Sequence, residues 1–260
     1  MAVIVVKLGG DMLGESRLPS LAGDIAALAA EHRVAVVHGG GPQATAECER
    51  LGIAPRMVAG RRATDEATLA VMKRVLAELN GALCDALAAA GATPLPFVDG
   101  AVRARRRPPR VYAGAGEQPI DLGLVGDVVG FRLADWPRGQ VPVLASLGSD
   151  EAGAVYNINA DVVANQLAIA LDADLLALVT AVDGVRRDVR DPATRIARLT
   201  VEEGRAAIAR GEVTGGMIPK LEESFAALAA GVKSILIVGG DLARAVRQPG
   251  SAGTLLVSSI

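Results

Sequence analysis

Twice within its first 51 residues the chain runs from a continuous apolar stretch into glycines and out again into helical spacing. The first stretch, residues 2–7, ends at Lys7-Leu8-Gly9-Gly10, after which Leu21, Ile25 and Leu28 recur on one helical face. The second, residues 34–37, ends at His38-Gly39-Gly40-Gly41-Pro42 and predicts a helix over 42–51 that Gly52 closes. Strands apolar on both faces, each followed by a helix, fit a parallel sheet covered on both sides. Apolar residues make up 51 % of the chain and aromatics only 2 %, which suits such layers and offers little surface for base stacking.

The pattern continues. Thr64-Asp65-Glu66 can cap a helix running toward Glu78, with the acids at its positive end. Shorter pieces with turns fill residues 92–130, strand character returns over 141–146, and a helix is expected over 161–171. A strand over 174–180 follows. Thr200 and Glu203 then form a capping box for a helix ending at Gly211. A helix over 220–230 and strands over 234–238 and 254–257 complete the set. The expected fold is α/β, a three-layer αβα sandwich with a largely parallel central sheet. Two lobes, 1–171 and 172–260, would share that sheet, with ligands at the carboxyl edges of the strands.

Several classes of function are disfavoured. A formal charge of −2 gives no electrostatic reason to bind nucleic acid. Cys48 and Cys84 lie far apart without a C-x-x-C, and His32 and His38 are the only histidines, so zinc sites and a disulfide scaffold are not expected. No apolar run is long enough to span a bilayer and no signal-like segment opens the chain, so a cytoplasmic location is expected.

Five segments could carry chemistry. Lys7-Leu8-Gly9-Gly10 puts a mobile cation and bare backbone N–H groups after a strand, although a plain strand-to-helix turn uses the same residues. The His38–Pro42 segment presents N–H groups and a helix dipole to an anion. The rival reading of that segment, a hydrolase oxyanion loop, needs a G-x-S-x-G elbow, and no serine sits in one. His38 itself reads as a packed strand-end residue. Arg61-Arg62-Ala63-Thr64 could hold a carboxylate or be a surface pair. In Tyr156-Asn157-Ile158-Asn159-Ala160-Asp161 the alternate asparagines point one way and Asp161 opens a helix; an Asx cap accounts for Asp161 but not for both asparagines. Gly215-Gly216-Met217-Ile218-Pro219-Lys220 brings a second lysine beside paired glycines. Two ammonium groups and free N–H donors suit phosphoryl transfer, which is largely positioning and charge neutralisation. The basic run Arg103–Arg110 could meet phosphate or lie solvated in a hairpin or loop.

Taken in order, these segments, with Asp121–Val128, Asp183-Gly184-Val185 and Gly253-Thr254, resemble the amino-acid kinase family over nearly the whole chain. Within it they are most similar to members that phosphorylate the side-chain carboxylate of N-acetyl-L-glutamate in arginine biosynthesis. The resemblance implies that Lys7 and Lys220 neutralise the migrating phosphoryl group and that Asp161 holds both lysines. It implies that Gly9, Gly10, Gly40 and Gly41 surround phosphate and acceptor, that Arg62 clamps a carboxylate, and that Asn157 and Asn159 contact the amino acid. ATP with Mg2+ would lie over Thr180, Ala181, Val182, Asp183, Gly184, Val185 and Arg186 and over Glu212, Val213 and Thr214. The chain departs from the family pattern at Ala181, where an acid is usual, at Pro94–Val98 ahead of Asp99-Gly100, and at Gly81, where a lysine is usual.

The alternatives are a sister kinase acting on glutamate or aminoadipate linked to an acidic carrier protein, which Arg103–Arg110 could meet, and a non-catalytic sensor of the same fold. The resemblance further implies a homodimer joined through the N-terminal lobe. Arginine-sensitive members carry an extra helix before the first strand; here Lys7 is close to the start, so insensitivity to arginine is expected.

Overall fold

The computed structural model describes residues 1–112, 114–188, 190–214 and 217–259. Its main sheet has eight strands in the order Arg198–Thr200, Thr254–Val257, Ser234–Val238, Leu175–Val179, Val3–Leu8, Arg33–His38, Gln140–Ala145 and Thr93–Phe97. Every neighbouring pair is parallel except Ser234–Val238 with Thr254–Val257. The first strand therefore lies inside the sheet, pairing Lys7 with Val37 on one side and with Leu178 on the other. That central place explains why its apolar run does not alternate: Ile4, Val5, Val6 and Leu8 are all buried.

Seven helices are present among the described residues: α1 (Leu18–Glu31), α2 (Gly41–Arg50), α3 (Glu66–Ala89), α4 (Ala160–Ala170), α5 (Val201–Ala209), α6 (Met217–Ala229) and α7 (Leu242–Arg247). They cover both faces of the sheet. Ile4 and Val6 pack with α1, α3 and α7, whereas Val5 packs with α4 and α6. The capping signals are present: Asp65 accepts from the Thr68 N–H at the start of α3, and Thr200 with Glu203 forms both arms of a capping box on α5. Helix α3 continues well past Glu78, carried by buried Leu83, Cys84 and Leu87. Both Cys48 and Cys84 are free and buried.

A second sheet, Val155–Asn157, Leu147–Ser149, Val102–Arg106 and Gly126–Phe131, stands on the amino-terminal half. Part of the basic run is thus a strand. The departure at residues 94–98 is the outer strand Thr93–Phe97, which pairs on one side only. Prolines at alternate positions, Pro94 and Pro96, are tolerated there because an edge strand needs donors on one side only. Met57–Val58 and Arg61–Arg62 form a two-stranded hairpin whose turn residues Ala59 and Gly60 have φ of 45° and 76°. Positive φ at both turn positions is the type I′ geometry that matches strand twist.

Candidate active site

The parallel register sets the carboxyl ends of Val3–Leu8, Arg33–His38 and Leu175–Val179 at one edge of the sheet. Lys7 emerges there. Helix α4 begins beside it, capped by Asn159, whose Oδ1 accepts from the Asp161 N–H at 2.7 Å. The cap is thus Asn159, and Asp161 sits in the first turn, where the helix dipole favours an anion. The Lys7 Nζ lies 2.9 Å from Asp161 Oδ1, with the lysine side chain only 15 % exposed. Lys7 and Asp161 together line two adjoining cavities, of about 240 Å³ and about 210 Å³.

The larger cavity faces the amino-terminal half. Gly9, Gly10, Gly40, Gly41, Arg62, Asn157 and Asn159 all line it, so the substrate-side residues expected from sequence converge. Arg62 is held by Gly41 O at 3.1 Å and Thr45 Oγ1 at 2.5 Å, and its buried Nη1 has no partner. A buried guanidinium nitrogen without an acceptor is costly unless a ligand supplies one. Asn157 Nδ2 donates to Thr64 Oγ1 at 3.1 Å. Gln43 of α2 holds Gly10 O at 2.7 Å, and a Cβ on Gly10 would stand 2.5 Å from Gln43 Oε1, so a side chain there would displace Gln43 from this hydrogen bond.

His38 supports this wall from beneath and does no chemistry. It is fully buried; its Nδ1 donates to Gly39 O at 3.1 Å, leaving Nε2 to accept from Asn80 Nδ2 at 3.0 Å. Burial pushes its pKa down to about 4, so the ring is neutral at pH 7.

The smaller cavity faces the carboxyl-terminal half and is lined by Thr180, Lys220, Glu223 and Ser224 in addition to the shared pair. Lys220 stands in the first turn of α6. Burial, and then the Lys7 charge, hold its ammonium below the ordinary lysine range. It closes no ion pair among the described residues, so Asp161 pairs with Lys7 alone in this structure. Gly215 and Gly216 lie outside the described residues.

Residues 181–186 and 212–214 line neither cavity. The Asp183-Gly184-Val185 turn is built into the scaffold: Asp183 Oδ1 accepts from Gly253 N at 3.0 Å, and Val185 N donates to Thr254 Oγ1 at 2.8 Å. Gly184 has φ of 85°, and a Cβ there would meet Thr254 Oγ1 at 2.6 Å. Val213 is buried, and Glu212 is held below the usual carboxylate range, mainly by its hydrogen bond from Arg210. Ala181 and Val182 are exposed beside the smaller cavity's Thr180.

Sequence reasoning passed over Gln43, Glu223 and the hairpin residue Met57, and read Arg107 only as part of the basic run. Arg107 and Arg110 both pair with Asp127, at 2.7 and 2.5 Å, Arg106 with Asp121 at 3.0 Å and Arg103 with Glu151 at 3.4 Å. Their partners are distant in sequence, so no local spacing announces them. Among the described residues no group of three or more His, Cys, Asp or Glu clusters as a metal cage would.

The model of the "Amino acid kinase family" matches residues 2–239. The chain is 55 % identical to the acetylglutamate kinase of Anaeromyxobacter sp. (strain K), over 99 % of each chain. It is 57 % identical to that of Sorangium cellulosum (98 % of this chain, 94 % of the relative) and 36 % identical to that of Methanocaldococcus jannaschii (94 % and 85 %). Among solved structures, N-acetylglutamate synthase from Neisseria gonorrhoeae with coenzyme A and L-arginine superposes with a TM-score of 0.77 at 22 % identity, covering 99 % of this chain and 62 % of that one. Carbamate kinase from Giardia lamblia bound to AMP-PNP gives 0.67 at 18 % identity, with 99 % of each chain covered. At those identities the likeness is one of fold.

Proposed function

Because the chain belongs to the amino acid kinase family, we propose that its paired cavities carry phosphoryl transfer from ATP to the side-chain carboxylate of N-acetyl-L-glutamate, a step of arginine biosynthesis. The protein is a phosphotransferase. The observation that carries the reading is the Lys7–Asp161 pair, which is at once a wall of the acceptor-side cavity and of the smaller cavity that holds Lys220. A phosphoryl group passing between the two must cross that wall, between two ammonium groups.

The acceptor carboxylate oxygen attacks the γ-phosphorus; the bond from phosphorus to the bridging oxygen breaks, and its electron pair leaves with ADP. A carboxylate is already a nucleophile at neutral pH, so no general base is required. This suits a site whose nearest histidine is buried and neutral. Lys7 and Lys220 neutralise charge on the transferring group, and Asp161 orients Lys7. The open Nη1 of Arg62 takes the other carboxylate of the acceptor, and Asn157 and Asn159 border the same space. The N–H groups of Gly9, Gly10, Gly40 and Gly41 surround the anions.

ATP lies on the 172–260 lobe, over residues 180–186 and 212–214, and the acceptor on the 1–171 lobe. Ala181, exposed where the family resemblance leads one to expect an acid, leaves that rim to apolar contact. Mg2+ comes with the triphosphate, held by phosphate oxygens and water. No helix among the described residues is long and apolar enough to cross a membrane. We place the enzyme in the cytoplasm as a homodimer on the resemblance alone. The carrier-linked reading loses its electrostatic argument, because four arginines of the basic segment are already paired with acids of this chain.

The test is to incubate purified protein with ATP, Mg2+ and free N-acetyl-L-glutamate and to trap the acyl phosphate with hydroxylamine. Hydroxamate formed in step with ADP supports the reading. Product only from a carrier-linked acceptor, or no turnover at all, overturns it.

A further inference from the structure

A third cavity, of about 550 Å³, runs between the hairpin side of the amino-terminal half and helices α4 and α6, and it adjoins both cavities described above. Its charged walls are Arg61, Arg107, Arg110, Asp127, Asp161 and Glu223. Most of these are already matched: Arg107 and Arg110 are spent on Asp127, and Asp161 on Lys7. Two remain without an ion pair among the described residues. Arg61 stands on the hairpin, its guanidinium 5.4 Å from the centre of the Tyr112 ring and Nη1 donating to Ala59 O at 3.2 Å. Glu223 stands on α6, one turn beyond Lys220, and lines the smaller cavity as well as this groove. The cation borders the acceptor side and the carboxylate the nucleotide side.

We propose that Arg61 and Glu223 are a pair of positioning residues that meet across this groove when both substrates are bound, joining the two halves over the reacting centre and shutting out water. This rests on the kinase reading above. Lys220, three residues before Glu223 on the same helix, competes for the carboxylate while the nucleotide cavity is empty. A bound triphosphate engages Lys220 and leaves Glu223 to Arg61. Nucleotide binding is thereby tied to closure over the acceptor. The carboxyl group is set between these outcomes: burial and the Asp161 charge raise its pKa, while Arg61, Lys7 and Lys220 oppose the rise. Water exclusion matters here because both the γ-phosphoryl group in flight and the acyl phosphate formed are open to hydrolysis.

The experiment compares Arg61→Gln, Glu223→Gln, the double variant and the exchanged pair Arg61→Glu/Glu223→Arg, reading hydroxamate and ADP separately. Each single variant is expected to lower kcat/KM for N-acetyl-L-glutamate by about three- to fivefold, the upper scale of a partly exposed ion pair, and to raise the ADP released per hydroxamate. The double variant should be no worse than either single one, and the exchanged pair should recover to within about 1.5-fold of the unmodified enzyme. Because both residues line an open groove and neither belongs to the packed core, thermal melting should be unchanged. A second readout needs no variant: raising salt should raise the ADP-to-hydroxamate ratio of the unmodified enzyme and leave that of Arg61→Gln flat. Additive single effects, no recovery on exchange, or a ratio that moves with neither salt nor substitution overturns the pair. If the unmodified enzyme makes no hydroxamate, it is the kinase reading that has failed.

Discussion

The two sides of the Lys7–Asp161 wall are finished to different degrees. On the side of the larger cavity, proposed for the acceptor, the polar groups are mostly held by protein: Arg62 by Gly41 and Thr45, Asn157 by Thr64, Gly10 by Gln43, and the glycine turn by the buried His38–Asn80 contact. On the side of the smaller cavity, proposed for the nucleotide, Lys220 and Glu223 have no ion-pair partner among the described residues, and each is shifted toward its neutral form, first by burial. The first side needs only a ligand that fits. The second is completed by the charge its ligand brings. A triphosphate supplies several negative charges and can repay the desolvation of an ammonium, whereas a small dicarboxylate gains more from donors already aimed.

The largest test of this contrast is Lys7→Ala against Lys220→Ala. Each should lower turnover at least a hundredfold, since removing a preorganised positive donor costs about 2.7–4 kcal/mol in the transition state. Their stabilities should diverge. Lys7→Ala leaves Asp161 without its partner and should lower the melting temperature, whereas Lys220→Ala removes an unpaired, partly desolvated ammonium and should not. Equal melting shifts in calorimetry would erase the distinction between the two sides.

Next comes acidity. The folded pKa of His38, about 4, lies below the value of 6.5 expected in the unfolded chain, so the unfolded state binds the proton more readily. Stability should be full above pH 6.5 and fall between there and about pH 4, by about 3 kcal/mol for this group alone. His38→Gln should flatten that stretch of a stability curve measured by denaturant unfolding. An unchanged slope would mean that the glycine turn does not depend on a neutral ring.

The smallest of these three effects is at Arg62. A clamp that binds ground and transition states alike should, on removal as Arg62→Ala, raise KM for the acceptor by about ten- to a hundredfold with kcat little changed. The KM for ATP should barely move. A parallel rise in both Michaelis constants in steady-state kinetics would show that the two sides do not bind independently.

The sheet and most of the residues that line the larger cavity were legible in the sequence, because their signals are local. Apolar runs leading into glycines gave the strands at 34–37 and 234–238, an apolar run just after Gly253 gave that at 254–257, and a capping residue with an acid three positions on marked α5. Asn159, not Asp161, proved to be the cap of α4, a two-residue shift that spacing alone cannot decide. The hairpin at Met57–Arg62 escaped notice because each strand is two residues long and Ala59 is an uncommon residue at positive φ. Glu223 escaped, and Arg107 was read only within the basic run, for another reason. Their significance comes from what faces them across a cavity, and those partners are far away in sequence.

One quiet feature of the amino-terminal half has a practical use. Cys84 lies in α3 one turn beyond Asn80, the residue that holds His38, and burial lifts its thiol to about 11. Cys48, in α2, is likewise buried and its thiol raised. A thiol that is neither ionised nor accessible does not react, so these two are silent toward alkylating reagents while the helices stay docked. Their rate of modification in the native state therefore serves as a built-in clock for how often the scaffold behind the acceptor side comes undone, and the slowing of that clock by a saturating acceptor would measure how tightly substrate and scaffold are linked.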